Sequence, residues 1–69
     1  MDYSKVVKLL RKELLVSQME LAKILNVSYQ TVNRWENGKT VPVYKDRRQL
    51  RELCIKYNIP IEEGEYNGD

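Results

Sequence analysis

The stretch Ser17-Gln18-Met19-Glu20-Leu21-Ala22-Lys23-Ile24-Leu25-Asn26-Val27-Ser28-Tyr29-Gln30-Thr31-Val32-Asn33-Arg34-Trp35-Glu36-Asn37-Gly38 decides the fold. It opens with Ser-x-x-Glu, the pattern of a capping box. Ser17 satisfies the amide three residues on, and Glu20 reaches back to the amide of Ser17. A helix over Gln18 to Leu25 is predicted next, with Leu21, Ile24 and Leu25 expected in the core. Ala22 sits where a small side chain lets another helix approach closely. Asn26 follows directly, and asparagine is second only to glycine in tolerating the left-handed conformation that ends a helix. Val27 is apolar and Ser28 is a second N-cap candidate, so helix, short turn and helix follow in succession. The later helix is expected from Tyr29 to about Asn37, with Gly38 as its stop.

Upstream, Val6, Val7, Leu10 and Leu14 repeat at helical spacing while Lys5, Lys8 and Lys12 fall off that stripe. They predict a first helix from about Tyr3 to Leu14, with Asp2 or Ser4 at its N-cap. Downstream, Lys39 to Tyr44 form a loop held by Pro42, and a fourth helix is expected over roughly Lys45 to Tyr57. Leu50, Leu53, Cys54 and Tyr57 would face its buried side. Ile59 and Ile61 are expected to cover the bottom of the core. The reading is an all-α, compact bundle of four to five helices over residues 1–61, followed by an acidic, frayed tail over 62–69.

At 69 residues the chain has room for one domain with a small core. It holds one cysteine, Cys54, and no histidine, which excludes an internal disulfide and a cysteine–histidine metal cage. Cys54 reads as a small core residue, because no histidine is present to activate it as a nucleophile. Nothing supplies a catalytic base or a Gly-rich phosphate loop, so neither an enzyme nor a cofactor is expected. No apolar run approaches the roughly 20 residues that span a bilayer, and Met1-Asp2-Tyr3-Ser4 lacks a secretory pattern, so the expected location is the cytoplasm, with no membrane partner.

The net charge of +2 hides an asymmetry: residues 1–51 carry eleven Lys or Arg against five acids, and residues 52–69 carry one Lys against five acids. A basic body with an acidic end points to a polyanion as partner of the body.

The third helix is the informative element. At about 100° per residue, Val32 and Trp35 lie about 60° apart and define the inward direction. Gln30, Asn33, Arg34 and Asn37 then fall on the opposite side, flanked by Tyr29 and Thr31. Amides and a guanidinium suit base edges in a major groove, Asn or Gln pairing with adenine and Arg with guanine, at about 1–3 kcal/mol of discrimination each. An ordinary solvated face would favour Lys and Glu pairs.

From Leu10 to Tyr57 the chain resembles the Cro and phage-repressor type of helix-turn-helix domains. The residues that carry the resemblance are Arg11, Ser17-Gln18-Met19-Glu20-Leu21-Ala22, Val27-Ser28, Val32, Arg34-Trp35-Glu36-Asn37-Gly38-Lys39 and Pro42. It implies a lambda-repressor-like bundle whose second helix lies across the DNA backbone and whose third enters the major groove. By position, Tyr29, Gln30, Thr31, Asn33 and Arg34 would face bases or the groove wall. Gln18 would bind phosphate through its side chain and its helix-end amide, and Asn37 and Lys39 would grip the backbone. Arg11 and Glu36 would form the family's ion pair tying the first helix to the third. Two departures stand out. Leu15 occupies a place where relatives often carry glycine, and Lys45, Arg47, Arg48 and Arg51 load the start of the fourth helix with charge. Arg47 and Arg48 are assigned to phosphate contacts, with a plain solvated face as the alternative.

The expected function is therefore sequence-specific binding of double-stranded DNA by a transcriptional regulator, of repressor type, working as a homodimer on an inverted repeat. The competing reading is a protein-interaction module such as an antitoxin, engaging a protein partner through residues 58–69.

Overall fold

The computed structural model describes residues 2–60, and within them the chain is four helices joined by short turns: α1 (Tyr3–Leu14), α2 (Gln18–Leu25), α3 (Tyr29–Glu36) and α4 (Tyr44–Lys56). The described residues contain no strand, and the fold is all-α. Ile61 and the acidic tail lie outside the described residues.

Side-chain caps set where three of the helices begin. Asp2 accepts from the Ser4 amide (3.1 Å) at the head of α1. The reciprocal box at α2 joins the Glu20 amide to Ser17 Oγ (3.0 Å) and the Ser17 amide to Glu20 Oε1 (2.8 Å). Ser28 Oγ accepts from the Thr31 amide (3.1 Å) at α3. Each satisfies amides that the first helical turn leaves unpaired. α4 lacks this help, because Val43 occupies its N-cap and makes no side-chain bond.

The helix ends share one device. A residue with left-handed backbone ends or closely follows each helix: Leu15 (φ 57°), Asn26 (φ 58°), Gly38 (φ 70°) and Asn58 (φ 57°). The next residue then donates its amide five positions back, as Val16 to Arg11 O (3.1 Å), Val27 to Ala22 O (2.9 Å), Lys39 to Arg34 O (2.9 Å) and Ile59 to Cys54 O (2.8 Å). This closure brings the residue after the turn back against the helix it ends. Val16, Val27 and Ile59 are all apolar, and all three pack on the core. Leu15 holds the conformation for which glycine is suited, with 89% of its surface exposed. It therefore carries the left-handed cost of roughly 1–2 kcal/mol with little burial in return.

The core comprises Val7 and Leu10 of α1, Leu21, Ala22 and Leu25 of α2, Val32 and Trp35 of α3, Leu50 and Cys54 of α4, and Ile59. Pro42, between α3 and α4, is also fully buried and anchors that loop. α3 packs on both α1 and α2, while α4 closes the bundle against α1 and α2. Burial pushes the Cys54 thiol above its usual pKa, so it stays protonated and inert.

Two residues expected inside are outside. Ile24 is half exposed, at 51%. At about 100° per residue it stands more than 100° from the centre of the face formed by Leu21, Ala22 and Leu25. The small side chain of Ala22, not Ile24, takes the second buried flank. Tyr57 is 46% exposed. It caps α4 rather than belonging to it, and the turn at Asn58 folds Ile59 under the core in its place. The α4 boundaries also sit one residue earlier than expected, at Tyr44 and Lys56, and α3 ends at Glu36 with Asn37 as its cap.

Candidate nucleic-acid interface

The surface opposite Val32 and Trp35 is built by the turn between α2 and α3. Asn26 reverses the chain, Val27 packs on the core, and Ser28 starts α3 two residues after the turn. This fixes α3 against α2 with Tyr29, Gln30, Arg34 and Asn37 exposed, Thr31 and Asn33 half-buried, and Val32, Trp35 and Glu36 buried.

The five residues expected to read bases thus divide into two groups. Tyr29, Gln30 and Arg34 are exposed, and their side chains make no hydrogen bond or ion pair among the described residues. Thr31 and Asn33 are held in place. The Thr31 hydroxyl lies 2.8 Å from Ser28 Oγ at the cap. Asn33 Nδ2 donates to Gln18 Oε1 (3.3 Å), and Asn33 Oδ1 accepts from Asn37 Nδ2 (3.1 Å).

Gln18 and Asn37, expected at phosphates, are likewise engaged within the protein. Gln18 Nε2 donates to Glu36 Oε1 (2.8 Å), and Asn37 Nδ2 also donates to the Asn33 carbonyl (2.9 Å). The backbone amides of Gln18 and Met19 are used neither by the cap nor by any other bond among the described residues. They leave the positive end of α2 open beside the head of the surface. Lys39 is exposed just past α3, Arg48 is exposed on α4, and Arg47 is half-buried there.

Beneath this surface Arg11 grips Glu36 with two bonds, Nε to Oε2 (2.7 Å) and Nη2 to Oε1 (3.0 Å). Its Nη1 lies 3.5 Å from the Val16 carbonyl. Burial by itself would raise the Glu36 pKa, but the bonds from Arg11 and Gln18 and the charges of Arg11 and Lys8 outweigh it and hold the carboxyl below its usual value. Glu36 is thus a buried anion whose acceptor positions are occupied from α1 and α2 at once. The fork-to-fork geometry fixes α3 against both helices.

The link between Arg11 and Glu36 is the ion pair that the resemblance implied, and that between Asn33 and Asn37 was legible because they are four apart on a helix and within reach of each other. The continuous network that joins the two through Gln18 was missed by sequence reasoning. The links to Gln18 depend on how α2 crosses α3, which no spacing in the sequence encodes.

No helix among the described residues is long and apolar enough to cross a membrane, and none of their side chains form a three-member metal-ligand cluster.

A family model described as Helix-turn-helix matches residues 7–43. No curated protein and no solved structure matches the chain. The matched residues run from the core of α1 through α2, the turn and α3 to the loop at Pro42, and so contain the outward face of α3 and the network beneath it, but not Arg47 and Arg48 of α4. The domain type is DNA-binding, non-enzymatic and typical of transcription regulators. With more than half its length inside the match, this chain belongs to the helix-turn-helix family of the Cro/C1 type.

Proposed function

We propose that the chain is a sequence-specific transcriptional repressor that lays α3 in the major groove of double-stranded DNA. The observation that carries this reading is the row Tyr29, Gln30 and Arg34: polar, exposed, and without partners among the described residues. A cluster of base-pairing groups left unused on a helix fixed by two others suits direct readout. Arg34 is the group for guanine and Gln30 for adenine. Tyr29 is placed to touch a thymine methyl or the groove wall, and Thr31 lines that wall from the cap. The open amides of Gln18 and Met19 take one phosphate. Asn37, Lys39, Arg48 and the half-buried Arg47 supply further backbone contacts.

One such domain covers one half-site and makes only a handful of phosphate contacts, so tight binding calls for two copies on half-sites about 34–36 Å apart, or a multiple of that spacing. Ile55 and Tyr57, both exposed at the end of α4, support a homodimer through that end and an operator that is an inverted repeat.

The division of labour is tested by Lys39→Ala. The variant is expected to bind all duplexes more weakly by a similar factor, and the slope of log affinity against log salt should fall by about 1, the share of one phosphate contact. Titration of a fixed duplex at several salt concentrations reads both effects. An unchanged slope would remove Lys39 from the backbone set.

A further inference from the structure

Between α2 and α4 runs a groove that no element among the described residues fills. Two hollows adjoin along α4 and share Gln49 and Glu52. The first has an apolar floor of Ile24, Leu25 and Leu53, with Lys56 on its rim. The second is bounded by Tyr44, Lys45 and Arg48. At about 100° per residue, Ile24 stands about 120° around α2 from Gln18, so the apolar part is turned away from the side of α2 that bonds to α3.

The groove is positive. Lys45, Arg48 and Lys56 border it against one acid, Glu52. Lys45 and Arg48 are exposed and make no hydrogen bond or ion pair among the described residues. Its occupant should therefore offer an apolar side chain followed by acids. The sequence holds such a stretch in Ile61-Glu62-Glu63-Gly64-Glu65, and no basic residue occurs from 57 to 69.

We propose that this stretch, which lies outside the described residues, docks into the groove of its own chain, with Ile61 over the apolar part and the acids against Arg48 and Lys45. The reach is sufficient. α4 rises about 12 Å from Lys56 to Arg48, and five extended residues span up to about 16 Å. The starting point is fixed, because Asn58 turns the chain and the Ile59 amide donates to the Cys54 carbonyl (2.8 Å), which holds it beside the end of α4. Arg48 is also assigned above to a phosphate, so the docked acids compete with the DNA backbone; this consequence rests on the DNA reading. Every duplex must displace the stretch whatever its sequence, so docking lowers affinity and leaves base preference unchanged.

The test is the full chain with Glu62→Gln, Glu63→Gln and Glu65→Gln together. In the DNA-free protein at low salt, the Ile24 methyl, Gln49 side-chain amide and Arg48 Nε resonances should move from their wild-type positions. Those of Met19, about 140° around α2 from Ile24, should stay. Unmoved signals at Gln49 and Arg48 overturn the docking. Differences that grow with protein concentration place the stretch on a second copy and overturn it as well.

On DNA, the triple variant should bind a fixed duplex about fivefold more tightly at low salt, the worth of two exposed ion pairs, with the same preferred sequence. Removing three negative charges also raises affinity through the overall field. Lys45→Gln combined with Arg48→Gln separates the two effects. In that background the gain should vanish, because the groove no longer holds the acids. A gain that persists in full assigns the effect to net charge and overturns the competition. A chain that binds no DNA defeats the DNA reading instead, and is recognisable because the DNA-free signals would still move.

Discussion

Arg11→Ala is expected to destabilise the domain by about 3 kcal/mol at neutral pH, the low end of the cost of stranding one member of a buried ion pair. The low end applies because Arg11 keeps 29% of its side chain exposed, whereas its partner Glu36 keeps only 5%. Removing the arginine leaves a carboxylate under the core with Gln18 as its remaining donor. Against a total stability of about 5 kcal/mol for a chain of this size, that loss leaves about 2 kcal/mol and raises the unfolded fraction to about 3%.

The same change should alter the pH profile. In the native protein the Glu36 pKa is lowered, so the pair contributes stability above the unfolded carboxylate value of about 4.3 and loses it as pH falls through the lower folded value. In Arg11→Ala, burial dominates and raises that pKa. Its carboxyl then favours folding at low pH and opposes it as pH rises. The gap between variant and native protein should therefore be widest near pH 7 and close towards pH 3. Denaturant titrations at several pH values read this directly. A gap constant with pH would mean that Arg11 contributes packing alone.

Arg34→Ala is expected to erase preference at one base pair of each half-site, a loss of about 1–3 kcal/mol or roughly 5- to 150-fold in discrimination. Arg34 is exposed, carries the only positive charge on α3 and has no partner among the described residues, so its removal leaves no buried group unpaired. Folding stability should change by less than about 0.5 kcal/mol, as for an ordinary surface site. Arg11→Ala and Arg34→Ala thus form a contrasting pair, the one acting on the fold and the other on readout. Competition between the preferred duplex and single-base variants measures the effect. Equal weakening on all of them would move Arg34 from the bases to the backbone.

What could be read from the sequence was what depends on residues close together in the chain. The box at Ser17 and Glu20, the left-handed Asn26, the cap at Ser28 and the stop at Gly38 each act within four or five positions, and each stands where expected. The buried pair Val32 and Trp35 followed from helical spacing, and with it the direction of the outward face. Ile24 and Tyr57 went astray because hydrophobic spacing gives the face of a helix but not which part of that face a neighbour covers. Ile24 stands to the side of the face that Leu21, Ala22 and Leu25 bury, and α4 ends before Tyr57 reaches the core. Helical spacing put Asn33 on the outward face as a group for bases, and the resemblance put Gln18 on phosphate. Only the crossing of α2 and α3 shows that Asn33 bonds to Gln18, and Gln18 to Glu36.

The central claim is that the outward face of α3 reads sequence, and selection of bound duplexes from a randomised pool at fixed, near-physiological salt tests it most directly. The account predicts recovery of an inverted repeat whose half-sites each hold a guanine lost in the Arg34→Ala selection. Uniform, salt-sensitive binding with no recovered sequence would contradict it.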